Sequence, residues 1–118
     1  MGHSAMKLMI VDDSSAMRQM IRSVVACPSD TVTECEDGSN VVIAFQQSQP
    51  DVVLMDLQMP TVNGITATRN LKKEFPNAKI IIVSNFNDQE FRDEAREAGA
   101  SSYFTKDDLI QLKTFIHQ

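Results

Sequence analysis

An α/β fold, a doubly wound parallel sheet of five strands with helices on both faces, is the class this sequence predicts, and three observations predict it. Short unbroken aliphatic runs, Leu8-Met9-Ile10-Val11, Val52-Val53-Leu54-Met55 and Ile80-Ile81-Ile82-Val83, read as strands buried on both faces. Stretches with three-four apolar spacing alternate with them, so strand–helix units follow one another in series, joined by right-handed crossovers. Each run, and Ser102-Tyr103-Phe104-Thr105 after them, breaks off into a polar residue: Asp12-Asp13, Asp56, Ser84 and Lys106. Ligands of open α/β sheets bind beyond the carboxyl ends of the strands. Three carboxylates, a hydroxyl and an ammonium are therefore predicted to converge on one edge.

After the first strand, Ser14 or Ser15 caps a helix whose inward face carries Met17, Met20, Ile21, Val24 and Val25, and Pro28 ends it. Thr31 to Cys35 reads as a second strand, interrupted by Thr33 and Glu34 as an edge strand tolerates. Glu36-Asp37-Gly38 turns the chain into a helix from about Ser39 to Gln47, with Val41, Val42 and Phe45 inward and Pro50 as its stop. Met59-Pro60-Thr61-Val62-Asn63-Gly64, past the Asp56 strand, is a loop with two strong breakers and should line the edge site. A third helix, Ile65 to Glu74, buries Ile65, Thr68 and Leu71 and is closed by Phe75-Pro76-Asn77. The fourth helix, capped by Asn87 or Asp88 and ended by Gly99, has Phe91 as its one large apolar residue above Ala95 and Ala98. So narrow a stripe predicts a loosely held, mobile element. The fifth strand leads into a helix started by Asp107-Asp108, with Leu109, Leu112, Phe115 and Ile116 inward. The whole is a (βα)5 arrangement of the flavodoxin-like class, strand order 2-1-3-4-5.

A chain of 118 residues has room for one domain and a sizeable core, and 42% hydrophobic with 23% charged residues argues against native disorder. No apolar run approaches the roughly 20 residues a bilayer span needs, and a signal-peptide core is absent, so a cytoplasmic protein without membrane contact is expected. The net charge of -5 disfavours direct nucleic-acid binding, which depends on Lys and Arg against phosphates. Cys27 and Cys35 have neither metal-ligand spacing nor a histidine beside them in sequence, and read as free thiols packed as small hydrophobes. His117 has no partner pattern. Residues 1–5, with Gly2-His3-Ser4-Ala5 ahead of Met6, resemble a cloning remnant, leaving 6–118 as the domain.

Any one polar residue at a strand end is ordinarily just a solvated loop residue. The combination is different, because two adjacent acids and a third on another strand repel unless positive charge sits among them. Lys106 and a divalent cation supply it, and carboxylate-only ligation points to Mg²⁺ rather than to zinc. The sequence has no Gly-rich phosphate loop, zinc-type histidine pair or Gly-x-Ser-x-Gly elbow, so nucleotide triphosphatase, metalloprotease and α/β-hydrolase chemistries lack their minimum parts. A carboxylate beside Mg²⁺, with a hydroxyl and an ammonium aimed at the same point, suits in-line phosphoryl transfer onto that carboxylate. Metal, Ser84 and Lys106 can each take one equatorial oxygen of the transferring group. Asp56 is the natural acceptor because it follows the central strand, which leaves Asp12 and Asp13 to hold the metal.

Val11-Asp12-Asp13, Met55-Asp56-Leu57-Gln58-Met59-Pro60 with Asn63-Gly64, Ser84, and Tyr103-Phe104-Thr105-Lys106 resemble the receiver domain of bacterial response regulators, in order and over residues 6–118. The resemblance implies that Asp56 accepts a phosphoryl group from a phosphohistidine on a sensor histidine kinase or phosphotransfer protein. It implies that Asp13, Asp56 and the backbone carbonyl of Gln58 ligate Mg²⁺, with Asp12 acting directly or through water. Ser84 and Lys106 would bind the phosphoryl group. Tyr103 would swing inward when Ser84 moves, changing the surface of the fourth helix, fifth strand and fifth helix that an output partner or effector domain reads. A phosphorylation-dependent dimer stays open as a further partner.

Some positions depart from the commonest pattern of the family. Asp107 stands where many receivers have Pro, a form frequent in receivers attached to helix-turn-helix domains. Asn85 stands where Ala or Gly is usual, and Phe86 and Gln58 occupy positions that tune water access, so a long-lived phosphoryl form is expected. The rival readings are a receiver-like docking module that is never phosphorylated, and a phosphatase working through an aspartyl phosphate. The second lacks its acid two residues after the nucleophile, since that residue is Gln58, and lacks a cap domain. Gln118 is either a natural end or lies ahead of a linker and effector domain, and the short last helix favours the latter.

Overall fold

In the computed structural model, which describes residues 5–118, the strands are β1 (Lys7–Val11), β2 (Thr31–Cys35), β3 (Val52–Met55), β4 (Ile80–Ser84) and β5 (Ser102–Thr105). They pair in parallel in the order β2-β1-β3-β4-β5, with β3 in the middle. The helices are α1 (Ser15–Val25), α2 (Val41–Ser48), α3 (Gly64–Glu74), α4 (Gln89–Ala98) and α5 (Leu109–Ile116). Met1–Ser4, and with them His3 and most of the suspected cloning remnant, lie outside the described residues.

The period-two alternation of a strand divides the aliphatic runs between two cores. Leu8, Ile10, Val52, Leu54, Ile81 and Val83 pack with Ile21 and Val25 of α1 and with Leu109, Leu112 and Ile116 of α5. Met9, Val11, Val53, Met55, Ile80 and Ile82 face the other way, against Val41, Ala67, Leu71 and Ala95 of α2, α3 and α4. Burying each such Leu, Ile or Val contributes ~1.5–3 kcal/mol. Continuous apolar sequence is thus what a central parallel strand requires, and the more exposed β2 and β5 are the two edges.

Helix ends follow the local chemistry. Ser14, not Ser15, caps α1, its Oγ accepting the Met17 N–H at 3.2 Å, and Asn63 caps α3 through the Thr66 N–H at 2.9 Å. Asp88 is the cap residue of α4 but makes no side-chain capping bond, while the Asn87 Oδ1 accepts from Arg92 Nε at 3.0 Å. Gly99 closes α4 at φ 112°, a left-handed conformation for which glycine is suited.

Several expectations need correction. A 3-10 turn, Gly38–Asn40, precedes α2 where an α-helix from Ser39 is expected, because the Asp37 carboxylate accepts the Ser39 N–H at 3.1 Å and tightens the entry. A similar turn, Lys106–Asp108, precedes α5. Met20 is 52% exposed, lying to one side of the stripe centred on Ile21. Ile65 is only half-buried and the smaller Ala67 takes the inward position on α3. Both cysteines are free, but only Cys35 is buried, and the fold brings His117 beside Cys27 and Asp30 although the sequence shows no such pattern. Among the described residues no helix is long and apolar enough to cross a membrane.

Candidate functional site

The carboxyl edge of the sheet gathers the charged residues that the strand ends carry. The ladder runs one residue past β1 and β3: the Asp12 N–H donates to the Cys35 carbonyl at 3.0 Å and the Asp56 N–H to the Val11 carbonyl at 2.8 Å. Both side chains are thereby pinned beside each other. Asp12 is 1% and Asp56 7% exposed, whereas Asp13 is exposed. Carboxylate oxygens of Asp12, Asp13 and Asp56 lie within 4.8 Å of one another.

Lys106, at the end of β5, reaches across β4 to this cluster. Its Nζ sits 2.9 Å from Asp12 Oδ2 and 3.2 Å from Asp56 Oδ1, with its own side chain 10% exposed. Burial pulls the ammonium's pKa down, but the Asp12 and Asp56 carboxylates outweigh it and hold the group charged. One cation does not satisfy three acids. Burial, and then the negative charge of Asp12, push the Asp56 carboxyl up from 3.8 to about 6 despite Lys106. Asp12 Oδ1 accepts the Ser14 N–H at 2.9 Å, and the buried Oδ2 has the Lys106 ammonium at 2.9 Å as its partner. Oxygen-only donors and three converging carboxylates that one ammonium does not offset are the features of a site that fits a hard divalent cation such as Mg²⁺.

Ser84 is buried at the end of β4, and its Oγ accepts the Phe86 N–H at 3.0 Å. Among the described residues it makes no hydrogen bond to Asp56 or Lys106. Tyr103 of β5 is joined to the same segment, its hydroxyl donating to the Phe86 carbonyl at 2.7 Å. Ser84 and Tyr103 are therefore linked through the backbone of one residue, Phe86, whose ring packs on Phe91 of α4 at 5.3 Å. Gln58 is exposed, two residues past Asp56, and lines a groove between the β3–α3 loop and α4 with Met59, Asn63 and Phe91.

The fold also recruits residues that strand-end reasoning passes over. A Cβ on Gly64 would stand 1.9 Å from the Asp56 carbonyl oxygen, so the β3–α3 loop closes over the Asp56–Leu57 backbone only with glycine there. Its N–H donates to the Leu57 carbonyl at 2.7 Å. Arg18 of α1 donates to the Asp12 carbonyl at 2.7 Å while paired with Glu34 at 2.7 Å, bracing the backbone that carries the two acids. Arg92 of α4 lies over the Tyr103 ring at 4.6 Å. Gly64 was legible as a breaker; Arg18 and Arg92 look like ordinary surface arginines in the sequence, and only the packing of their helices reveals them.

Residues 8–117 match the family profile of the response regulator receiver domain. Chemotaxis protein CheY of Thermotoga maritima is 37% identical over 101 residues, covering 85% of this chain and 84% of that protein. The transcriptional regulatory protein DegU of Brevibacillus brevis is 34% identical over 103 residues, 86% of this chain but 44% of that protein. The chain spans about half the length of the transcriptional regulators it matches. Among solved structures, a two-component response regulator of the LuxR family from Aurantimonas superposes with a TM-score of 0.87 at 32% identity, over 96% of this chain and 85% of that one.

Proposed function

We propose, since the chain belongs to the response regulator receiver domain family of two-component systems, that it is a cytoplasmic switch operated by phosphorylation of Asp56. The supporting observation is the convergence of three carboxylates and Lys106 at the carboxyl edge, with Asp56 on the central strand and its carboxyl pushed up to about 6. Asp12, Asp13, Asp56 and the Gln58 carbonyl would hold Mg²⁺, which when bound offsets the crowded negative charge and withdraws charge from phosphoryl oxygens.

In the reaction, an Asp56 carboxylate oxygen forms a bond to phosphorus as the bond from phosphorus to the donor's histidine nitrogen breaks. The electron pair of that bond stays on the imidazole, which takes a proton. Lys106 stabilises the charge gathering on the phosphoryl oxygens, and Ser84 donates its hydroxyl hydrogen to another. For that, the Ser84 hydroxyl must turn from Phe86 toward Asp56. Phe86 also holds the Tyr103 hydroxyl, so the turn reaches β5 and, through Arg92 on the Tyr103 ring, α4. The α4–β5–α5 surface is then what an output partner or effector domain reads, and a sensor histidine kinase or phosphotransfer protein is the donor. Asn85, Phe86 and Gln58 form a rim that hinders the attacking water, so the phosphoryl form is long-lived.

The test is intact-mass analysis after incubation with acetyl phosphate. A single adduct of about 80 Da that requires Mg²⁺ and is absent from Asp56→Asn supports the proposal. No adduct from acetyl phosphate or any phosphohistidine donor refutes it and leaves a receiver fold used only for docking.

A further inference from the structure

The β3–α3 loop is tied down from a segment that supplies no metal ligand. Its base is closed by the Gly64 N–H on the Leu57 carbonyl at 2.7 Å, and the Asn63 side chain is committed to capping α3. Between these points Gln58, Pro60 and Thr61 are exposed. Among the described residues, no backbone–backbone hydrogen bond holds residues 58–62. The conformation of this stretch, which carries the Gln58 carbonyl, must therefore be set by other contacts.

Those contacts come from the turn after β2. Gly38 is buried, and a Cβ there would stand 2.4 Å from the Val62 carbonyl oxygen and 3.1 Å from the Ala67 Cβ, so the 3-10 turn is seated directly on the loop. Beside it, Asp37 Oδ1 accepts the Ser39 N–H at 3.1 Å. The Ser39 N–H, and after it the Thr61 hydroxyl and the Val62 N–H, hold the Asp37 carboxyl below its ordinary value against the pull of desolvation. An ionised carboxylate accepts through both oxygens and donates nothing. This one group thereby joins the turn to two consecutive residues of the loop, while the Val62 side chain packs on the core that holds Val41 and Ala67.

We propose that Asp37 and Gly38 are positioning residues for Mg²⁺, holding the β3–α3 loop in the form in which the Gln58 carbonyl completes the metal site. The inference rests on the proposed reading of Asp12, Asp13, Asp56 and Gln58 as the ligand set, and neither residue touches the ion. Mg²⁺ tolerates little departure from octahedral geometry, so a loop free to drift exchanges that carbonyl for water. The end of β2 braces the other ligands as well. The Cys35 carbonyl accepts the Asp12 N–H at 3.0 Å, and Glu34 holds the Arg18 that donates to the Asp12 carbonyl at 2.7 Å. An edge strand and its turn thus support both ligand-bearing segments from outside the coordination sphere, as partners of metal ligands commonly do.

The test is titration with Mn²⁺, whose free-ion paramagnetic resonance signal falls on binding, with Mg²⁺ as the competitor that marks the carboxylate site. Asp37→Ala and Gly38→Ala should each weaken Mg²⁺-displaceable binding by about tenfold. Asp37→Asn, which keeps an acceptor oxygen, should fall between wild type and Asp37→Ala. Val25→Ala, a truncation in the core on the opposite face of the sheet, should lower the melting temperature and leave the affinity unchanged. In the metal-free protein, Asp37→Ala should speed amide hydrogen exchange at Val62 by about tenfold. Wild-type affinity in either alanine variant overturns the proposal, and so does an equal loss in Val25→Ala, which would reduce the effect to stability. A wild type that binds no Mg²⁺-displaceable Mn²⁺ refutes the metal-site reading itself, and the positioning role falls with it.

Discussion

Replacing Asp56 by Asn should stabilise the metal-free protein at neutral pH, and the size of the effect follows from the crowding of charge at the carboxyl edge. Raising a buried carboxyl from 3.8 to about 6 costs its charged form about 3 kcal/mol, at ~1.4 kcal/mol per tenfold change in proton affinity. The folded protein keeps this proton over a range in which the unfolded chain has released it. Stability contributed at this position is therefore lost as pH rises from near 4 to above 6, and it stays low beyond. Asn carries no charge and removes the loss. Asp30 and Glu34, whose carboxyls are held low, act in the opposite sense in both proteins and cancel from the difference. Urea unfolding in chelator should give equal stabilities near pH 4 and an Asp56→Asn gain of about 2–3 kcal/mol at pH 7.5, roughly 10 °C in melting temperature for a chain of this size. Mg²⁺ should narrow the gap by stabilising wild type selectively. Parallel pH curves, or a variant less stable than wild type at pH 7.5, would refute the reasoning.

Lys106→Ala should leave Mg²⁺ binding intact, since the oxygen donors remain, yet uncouple phosphorylation from the α4–β5–α5 surface; normal partner switching would contradict its role. In the same variant the metal-free protein should lose about 3–5 kcal/mol in urea unfolding, because two buried carboxylates are left without their cation. Gly64→Ala forces the β3–α3 loop off the Asp56–Leu57 backbone, and should cost about 1–3 kcal/mol and slow phosphorylation from acetyl phosphate. Phosphate-release kinetics should show the wild-type phosphoryl form outlasting that of a chemotaxis-type receiver, and Phe86→Ala shortening it by opening the rim.

Most of the fold was legible because parallel strands covered on both faces leave long apolar runs, as at Val52–Met55 and Ile80–Val83. Even the edge strand Thr31–Cys35 had its observed bounds. The convergence of Asp12, Asp13, Asp56 and Lys106 was legible for a topological reason, since successive parallel strands end on one edge. What the sequence hid depends on geometry finer than periodicity. Met20 and Ile21 are neighbours in sequence, and only the angle at which α1 meets the sheet decides which one is buried. Asp30 and His117 are 87 residues apart, and their meeting depends on where α5 ends against the α1–β2 turn. Arg92 reaches Tyr103 from a helix whose buried residues are two alanines, a placement no spacing rule supplies.

The central claim is that Asp56 itself receives the phosphoryl group, and borohydride trapping tests it most directly. Reduction of an aspartyl phosphate gives homoserine, which peptide sequencing by mass spectrometry locates. Homoserine at position 56, formed only after treatment with phosphodonor and Mg²⁺, is the expected result. Homoserine at position 12 or 13, or none in protein that carries phosphate, would contradict the assignment.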